Sequence, residues 1–225
     1  GLAKHNGPLI KDIPKVLSRY SRFHDLNLHS FPSAEAQVAA ISDDIAYNHH
    51  DVLDGIRAGF FNISDLKKLP ILSECFYKAG KSFPKADELR IKHEALRSFF
   101  NFLVLDVIEQ SNLMLEELSP RSVSDIRNAN YPVVQFSASV IEKLNTIRNF
   151  LFVKMYRAPS IMDMRAKVTK IVDDLFCCFM EQKDILPIKW QNELREGKSE
   201  QEMARIVVNY ISGMTDRFAM KEHNR

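Results

Sequence analysis

In the stretch SDDIAYNHHDVLD, residues 42–54, Asp43, Tyr47 and Asp51 recur at every fourth position. A helix turns about 100° per residue, so side chains four apart stack into one ridge. His50 and Asp54 flank that ridge, while Val38, Ile41, Ile45, Val52 and Ile56 fall in the opposite sector. The ridge is badly composed for a solvated helix face. Asp and Asn are weak helix formers in mid-helix, and no Lys or Arg stands four residues from either carboxylate. Uncompensated carboxylates in a row favour an outside cation or outside hydrogen-bond donors. A divalent metal would supply the first and a sugar hydroxyl the second, and the pattern leaves these two uses and a plain solvated face open. The neighbouring His49-His50-Asp51 triplet is a poor chelate, because adjacent helical side chains diverge by about 100°.

These residues need a helix to position them. Ser33 is placed to cap its start, Glu35 suits its positive end, and Gly59 suits its exit. Helical periodicity dominates the rest of the chain. A short helix is predicted at 12–22, a polar loop at 24–33, and a further short helix at 64–80. A long helix is predicted at 86–117, with Leu89, Leu96, Phe99, Phe100, Leu103, Val107 and Leu113 inward. A loop with a helical turn follows at 119–132, then an extended piece, VVQFS, at 133–137. Three more helices are predicted at 138–157, 160–182 and 199–221, with Pro159 and Pro187 marking breaks. In the first of these, Val140, Leu144, Ile147, Leu151 and Met155 form an apolar stripe, and Asn145, Arg148, Phe152 and Tyr156 run beside it. The reading is an all-α protein.

The composition is that of an ordinary globular chain: 225 residues, 45% hydrophobic and 27% charged. The net charge of +2 gives no electrostatic footprint for nucleic acid. Apolar runs such as FFNFLVL fall far short of the ~20 residues of a membrane span. Three cysteines, Cys75, Cys177 and Cys178, with no Cys-x-x-Cys spacing, point to a reducing, cytoplasmic setting. The opening GLAKHNGPL carries neither an initiator Met nor a signal pattern, so a longer protein is expected around this chain.

The segment SAEAQVAAISDDIAYNHHDVLDGIRAG resembles the corresponding segment of bacterial dGTP triphosphohydrolase-like proteins, in the HD-domain phosphohydrolase superfamily. The resemblance continues through KHNGPL (4–9), RSVSDIRNANYPVVQFS (121–137), RNFLFVKMYRAP (148–159) and NYISGMTDRFA (209–219), in order along nearly the whole chain. It implies the C-terminal part of a helical HD-domain-like fold. Residues 1–60 would be the end of the HD-type core, and residues 61–225 a helical region completing the nucleotide pocket and the oligomer contacts.

The resemblance further implies a divalent metal, Mg, Mn or similar, held by a His, an adjacent His-Asp pair and a distant Asp. The distant Asp corresponds to Asp43. The other ligands belong to segments preceding KHNGP and have no counterpart here, so a metal is expected only when they are present. Tyr47 and Asp51 match positions beside the nucleotide's sugar and phosphate. There Asp51 would accept from the 3′-hydroxyl, and Tyr47 would crowd C2′ and favour deoxynucleotides. Arg148 matches an arginine on the triphosphate, and Tyr156 an aromatic near sugar and base. His5 and Asn6 match a motif to which a turn role is assigned, and Thr215-Asp216-Arg217-Phe218 one without a chemical role.

The implied activity is hydrolysis of a deoxynucleoside triphosphate to deoxynucleoside and triphosphate. The implied partners are that nucleotide and either a second copy or a companion fragment. Nucleic acid is only weakly supported and a membrane not at all. The alternative class is a non-catalytic helical module that binds a nucleotide or partner.

Overall fold

The computed structural model describes residues 2–194 and 198–225. Among these the chain is helical throughout, with no β-strand, and it divides into two compact units, Gly1–Met155 and Tyr156–Arg225. The expected functional division at residue 60 falls inside the first unit.

The first unit contains α1 (Lys15–Ser21), α2 (Ala34–Arg57), α3 (Ile63–Leu66), α4 (Leu72–Ser82), α5 (Glu88–Leu118), α6 (Val123–Arg127) and α7 (Ala138–Leu151). The long helix α5 is its spine: α4 lies along it and α2 packs against both α5 and α7. Phe99 and Leu103 of α5, Val52 of α2, and Leu144, Ile147 and Leu151 of α7 are all fully buried. The predicted stripe of α7 is therefore its core face. On α5 the expected inward set is only partly right, because Leu89, Phe100 and Leu113 are exposed. A helix of 31 residues outruns the elements available to cover it.

The ends of α2 follow local rules. Ser33 occupies the N-cap position in extended conformation, although its side chain makes no capping bond. At the other end Gly59 takes φ +74. Its N–H donates to Ile56 and that of Phe60 donates to Gly55, the double bond pattern of a Schellman stop.

The predicted 64–80 helix is two helices. Pro70 cannot continue α3, and Ile71 turns with φ 64 and ψ −56, so that Leu72 N–H donates to the Pro70 carbonyl at 2.7 Å. This γ-turn is strained for a β-branched residue, and burial holds it, Ile71 being among the core residues.

Residues 133–137 form no strand; they are irregular backbone, with Val133, Val134 and Phe136 buried. Ser137 caps α7 by accepting from Val140 N–H, and Asp106 of α5 braces it. The Asp106 carboxylate accepts from Ser137 N at 2.9 Å and from Ser137 Oγ at 2.7 Å. After Leu151 the chain widens into a π-helix, Phe152–Tyr156, where one continuous α-helix was expected.

The second unit contains α8 (Pro159–Glu181), a 3-10 turn (Lys183–Ile185), α9 (Ile188–Glu193), α10 (Glu200–Ser212) and α11 (Asp216–His223). Its core gathers Leu175, Phe179, Leu186, Leu194, Ile206, Val207 and Tyr210. The Tyr210 ring lies 5.3 Å from Phe179 and 5.5 Å from Trp190. The predicted 199–221 helix breaks at Gly213, after which Thr215 caps α11 by accepting from Phe218 N–H. The Thr-Asp-Arg-Phe motif thus has a structural use as a helix start, with Asp216 in the first turn. All three cysteines are free, and burial pushes the Cys75 thiol up to about 11.

Candidate functional site

The chain's first segment must be anchored before it can form part of a site. Lys4 does this. Its side chain is buried, and its ammonium donates to the Asn27 carbonyl, to the Ser30 carbonyl at 2.8 Å and to Ser30 Oγ at 2.7 Å. Burial lowers its pKa, and the nearby Arg127 charge lowers it further. Gly7 closes the turn, with φ 120, a conformation side chains rarely adopt, and its N–H donates to the Lys4 carbonyl. Leu9 N–H donates to Leu28, and Phe31 N–H donates to Arg127. The result is a fixed turn that presents His5 and Asn6.

Facing that turn is the first half of α2. Between them lies a cavity of about 440 Å3. Its walls are His5, Asn6 and Gly7; Phe31 and Pro32; Gln37, Ala40, Ile41, Asp43, Asp44 and Tyr47 of α2; and Pro132, Val134 and Gln135. The site-bearing motifs at 4–9, 33–59 and 121–137 thus meet around one space. Three segments far apart in sequence do this because Lys4 ties down the first and Gln37 the last. Gln37 is buried. Its Nε2 donates to the Pro32 carbonyl at 3.0 Å, and its Oε1 accepts from Val133 N at 2.8 Å and Val134 N at 3.1 Å.

Of the residues expected to form a site, Asp43 and Tyr47 line this cavity, one turn apart; Asp43 is exposed and Tyr47 is 60% exposed. Asp51 is half-buried one turn further on, outside the cavity lining. Arg148 comes from α7 to α2, but onto the next row of side chains. Its Nη2 lies 2.8 and 2.7 Å from the two oxygens of Asp44, and its Nε donates to Asn48 Oδ1 at 3.1 Å. Asn48 is buried and donates back to the Asp44 carbonyl at 2.6 Å. Tyr156 belongs to the second unit. His49 turns away from the ridge to stack edge-on against Phe100 of α5, ring centroids 5.5 Å apart. Burial, and then the charge of His50, lower its pKa.

Lys4, Gln37, Asp44 and Asn48 were not expected at the site. Gln37 and Asn48 carry a signal that could have found them: each is a polar residue within a turn of the apolar stripe of α2. Asp44 and Lys4 carry none, since their partners lie far along the chain.

Among the described residues no three His, Cys, Asp or Glu side chains converge. Asp44, beside Asp43, is engaged by Arg148. A protein metal site needs several ligands, so these residues do not by themselves fit a divalent ion. No helix among the described residues is long and apolar enough to cross a membrane.

Comparison with known proteins gives the following likenesses. Residues 134–225 match the phosphohydrolase-associated domain. Over all 225 residues the chain is 52% identical to a deoxyguanosinetriphosphate triphosphohydrolase-like protein of Roseobacter denitrificans, covering 58% of that protein. It is 47% identical to a protein so named from Cereibacter sphaeroides, covering 60% of it, and 39% identical to one from a Bradyrhizobium species, covering 57%. Matches over the whole chain span the three segments that line the cavity. Along its whole length the chain is thus similar to deoxyguanosinetriphosphate triphosphohydrolase-like proteins, and it spans under two thirds of the length of the relatives it matches.

Proposed function

We propose that the full-length protein carrying this chain hydrolyses a deoxynucleoside triphosphate, dGTP or a similar one, to deoxynucleoside and inorganic triphosphate. The observation that carries this reading is that Asp43 and Tyr47 line one cavity, within a chain matched end to end by triphosphohydrolase-like proteins. Water would attack the α-phosphorus, the bond to the sugar 5′-oxygen would break, the deoxynucleoside would leave with a proton on that oxygen, and the water oxygen would remain on the triphosphate. Tyr47 crowds the sugar at C2′, and Asp51 accepts from the 3′-hydroxyl. Arg148, held in one orientation by Asp44 and Asn48, offsets phosphate charge, a task suited to a fixed guanidinium. Tyr156 is the proposed aromatic near sugar and base. Asp43 is the proposed single contribution of this chain to a divalent metal whose other ligands lie outside the described residues.

The test is dNTP hydrolysis by the full-length protein, with triphosphate identified as product. Asp43→Ala is expected to lower turnover by about 100-fold or more, the scale on which loss of an essential charged group acts. Near wild-type turnover would remove Asp43 from the site. Tyr47→Ala is expected to raise the acceptance of ribonucleotides.

For the 225 residues alone, a second reading is a nucleotide- or partner-binding helical module. It is favoured by the lack of a three-ligand cluster among the described residues. A nucleotide-induced rise in Tm without hydrolysis would support it. We also propose a cytoplasmic setting, and, since Val38 leaves apolar surface on α2 exposed, either a homo-oligomer or a companion fragment.

A further inference from the structure

We infer that Gln37 is a positioning residue of the cavity: its amide clamps residues 132–135 to α2 and holds Gln135 in the cavity wall. The clamp stands on geometry alone, and its effect on a ligand rests on the nucleotide reading above.

A Gln that is 4% exposed on a packed helix is costly unless its polar atoms are satisfied. Gln37 meets that condition through three bonds, all to backbone, with its acceptor and its donor serving different segments. Val133 and Val134 lie in irregular backbone, where neither helix nor strand supplies a partner for their N–H groups. Gln37 Oε1 is what both of them use. Val133 is fully buried and anchors the segment on one side, while Pro132, Val134 and Gln135 contribute to the cavity wall on the other.

The chemistry of the position is narrow. Leu is close to Gln in size but leaves two buried N–H groups orphaned. Glu keeps an acceptor for both but loses the donor to Pro32 and sets a carboxylate against that carbonyl. Gln135, a half-buried amide in the wall, can donate to or accept from a ligand. Its reach is set by the backbone that Gln37 fastens.

The experiment uses the full-length protein with Gln37→Leu, Gln37→Glu and Gln135→Leu. Amide hydrogen exchange is read at Val133 and Val134, and dGTP affinity is read by titration with EDTA present to prevent turnover. Gln37→Leu is expected to speed exchange at both amides by about tenfold or more, the effect of losing a buried hydrogen bond. It is expected to weaken dGTP binding about five- to tenfold, on the same basis. Gln37→Glu should retain most of the protection at both amides, and Gln135→Leu should weaken binding with exchange unchanged. Unchanged exchange in Gln37→Leu overturns the clamp. Faster exchange and a lower Tm with unaltered dGTP affinity would reduce Gln37 to a structural tie. If the wild type binds no dGTP, the nucleotide reading falls, and the exchange data alone decide the clamp. If Gln37→Leu does not fold, loss of protection at both amides in Gln37→Glu, which keeps the acceptor, overturns the clamp, and unaltered dGTP affinity in Gln135→Leu overturns its effect on the ligand.

Discussion

Arg148 and Asp44 are 104 positions apart, yet Nη2 of the arginine sits across both carboxylate oxygens, at 2.8 and 2.7 Å. The pair joins α7 to α2 beside the ridge of Asp43, Tyr47 and Asp51. It gives one aspartate of that crowded helix, Asp44, a cation from another helix.

Both partners of that pair are about 40% exposed, so water screens their attraction. A double-mutant cycle of Asp44→Ala and Arg148→Ala, read by urea unfolding, should give a coupling of about 0.5–1 kcal/mol. Asn48→Ala should cost more, about 1–2 kcal/mol, because Asn48 is buried and bonded at both ends of its amide.

Gly55 permits the close approach of the 60–62 turn to α2. A Cβ built there would lie 2.2 and 2.3 Å from ring atoms of Phe61. Phe61 is itself buried and packs edge-on against Phe150, centroids 5.0 Å apart. Gly55→Ala should therefore destabilise by about 1–3 kcal/mol through overpacking. Gly55→Ala combined with Phe61→Leu should lose less than the sum of the two single changes, as read by urea midpoints.

Ser137 caps α7 by accepting from Val140 N–H, and Asp106 of α5 holds that serine in place. Asp106→Ala removes both bonds to Ser137 and should cost about 1–2 kcal/mol in urea unfolding. Because α7 carries Arg148, the substitution should also speed amide exchange in the first turn of α7.

Burial lowers the pKa of His49 in the folded chain, with His50 adding to the effect. The unfolded chain, with His near its ordinary pKa of about 6.5, binds the proton first as pH falls. Stability should therefore be fully present above pH 7 and decline below about 6.5, levelling once the folded state also protonates. The urea midpoint measured from pH 7.5 to 5.5 should show this slope, and His49→Phe should flatten it. The carboxylates held down by hydrogen bonds, such as Asp125 by the backbone of Arg121 and Ser122, act in a separate and more acid window.

Much was legible in the chain because helices report themselves locally. The limits of α2 fall where Ser33 and Gly59 mark them, although Ser33 makes no side-chain cap, and the stripe of α7 follows from its spacing. Other elements were misread where a local signal was silent about geometry. The split at Ile71 needs a positive φ that no propensity foretells, and residues 133–137 read as extended although they pair with no strand. The outward turn of Leu89, Phe100 and Leu113 reflects what happens to lie beside a long helix, and α5 itself does not encode that.

The amino-acid sequence by itself determined the helical class, the likeness to a family, and the ridge of Asp43, Tyr47 and Asp51, because periodicity and motif are properties of neighbouring residues. Only the tertiary structure decided what that ridge faces. It set Arg148 on Asp44, buried Lys4 under the His5–Asn6 turn, and used Gln37 to fasten Val133 and Val134. Each of these is a polar bond between groups far apart along the chain, and its strength depends on distance and burial, which exist only once the helices have packed.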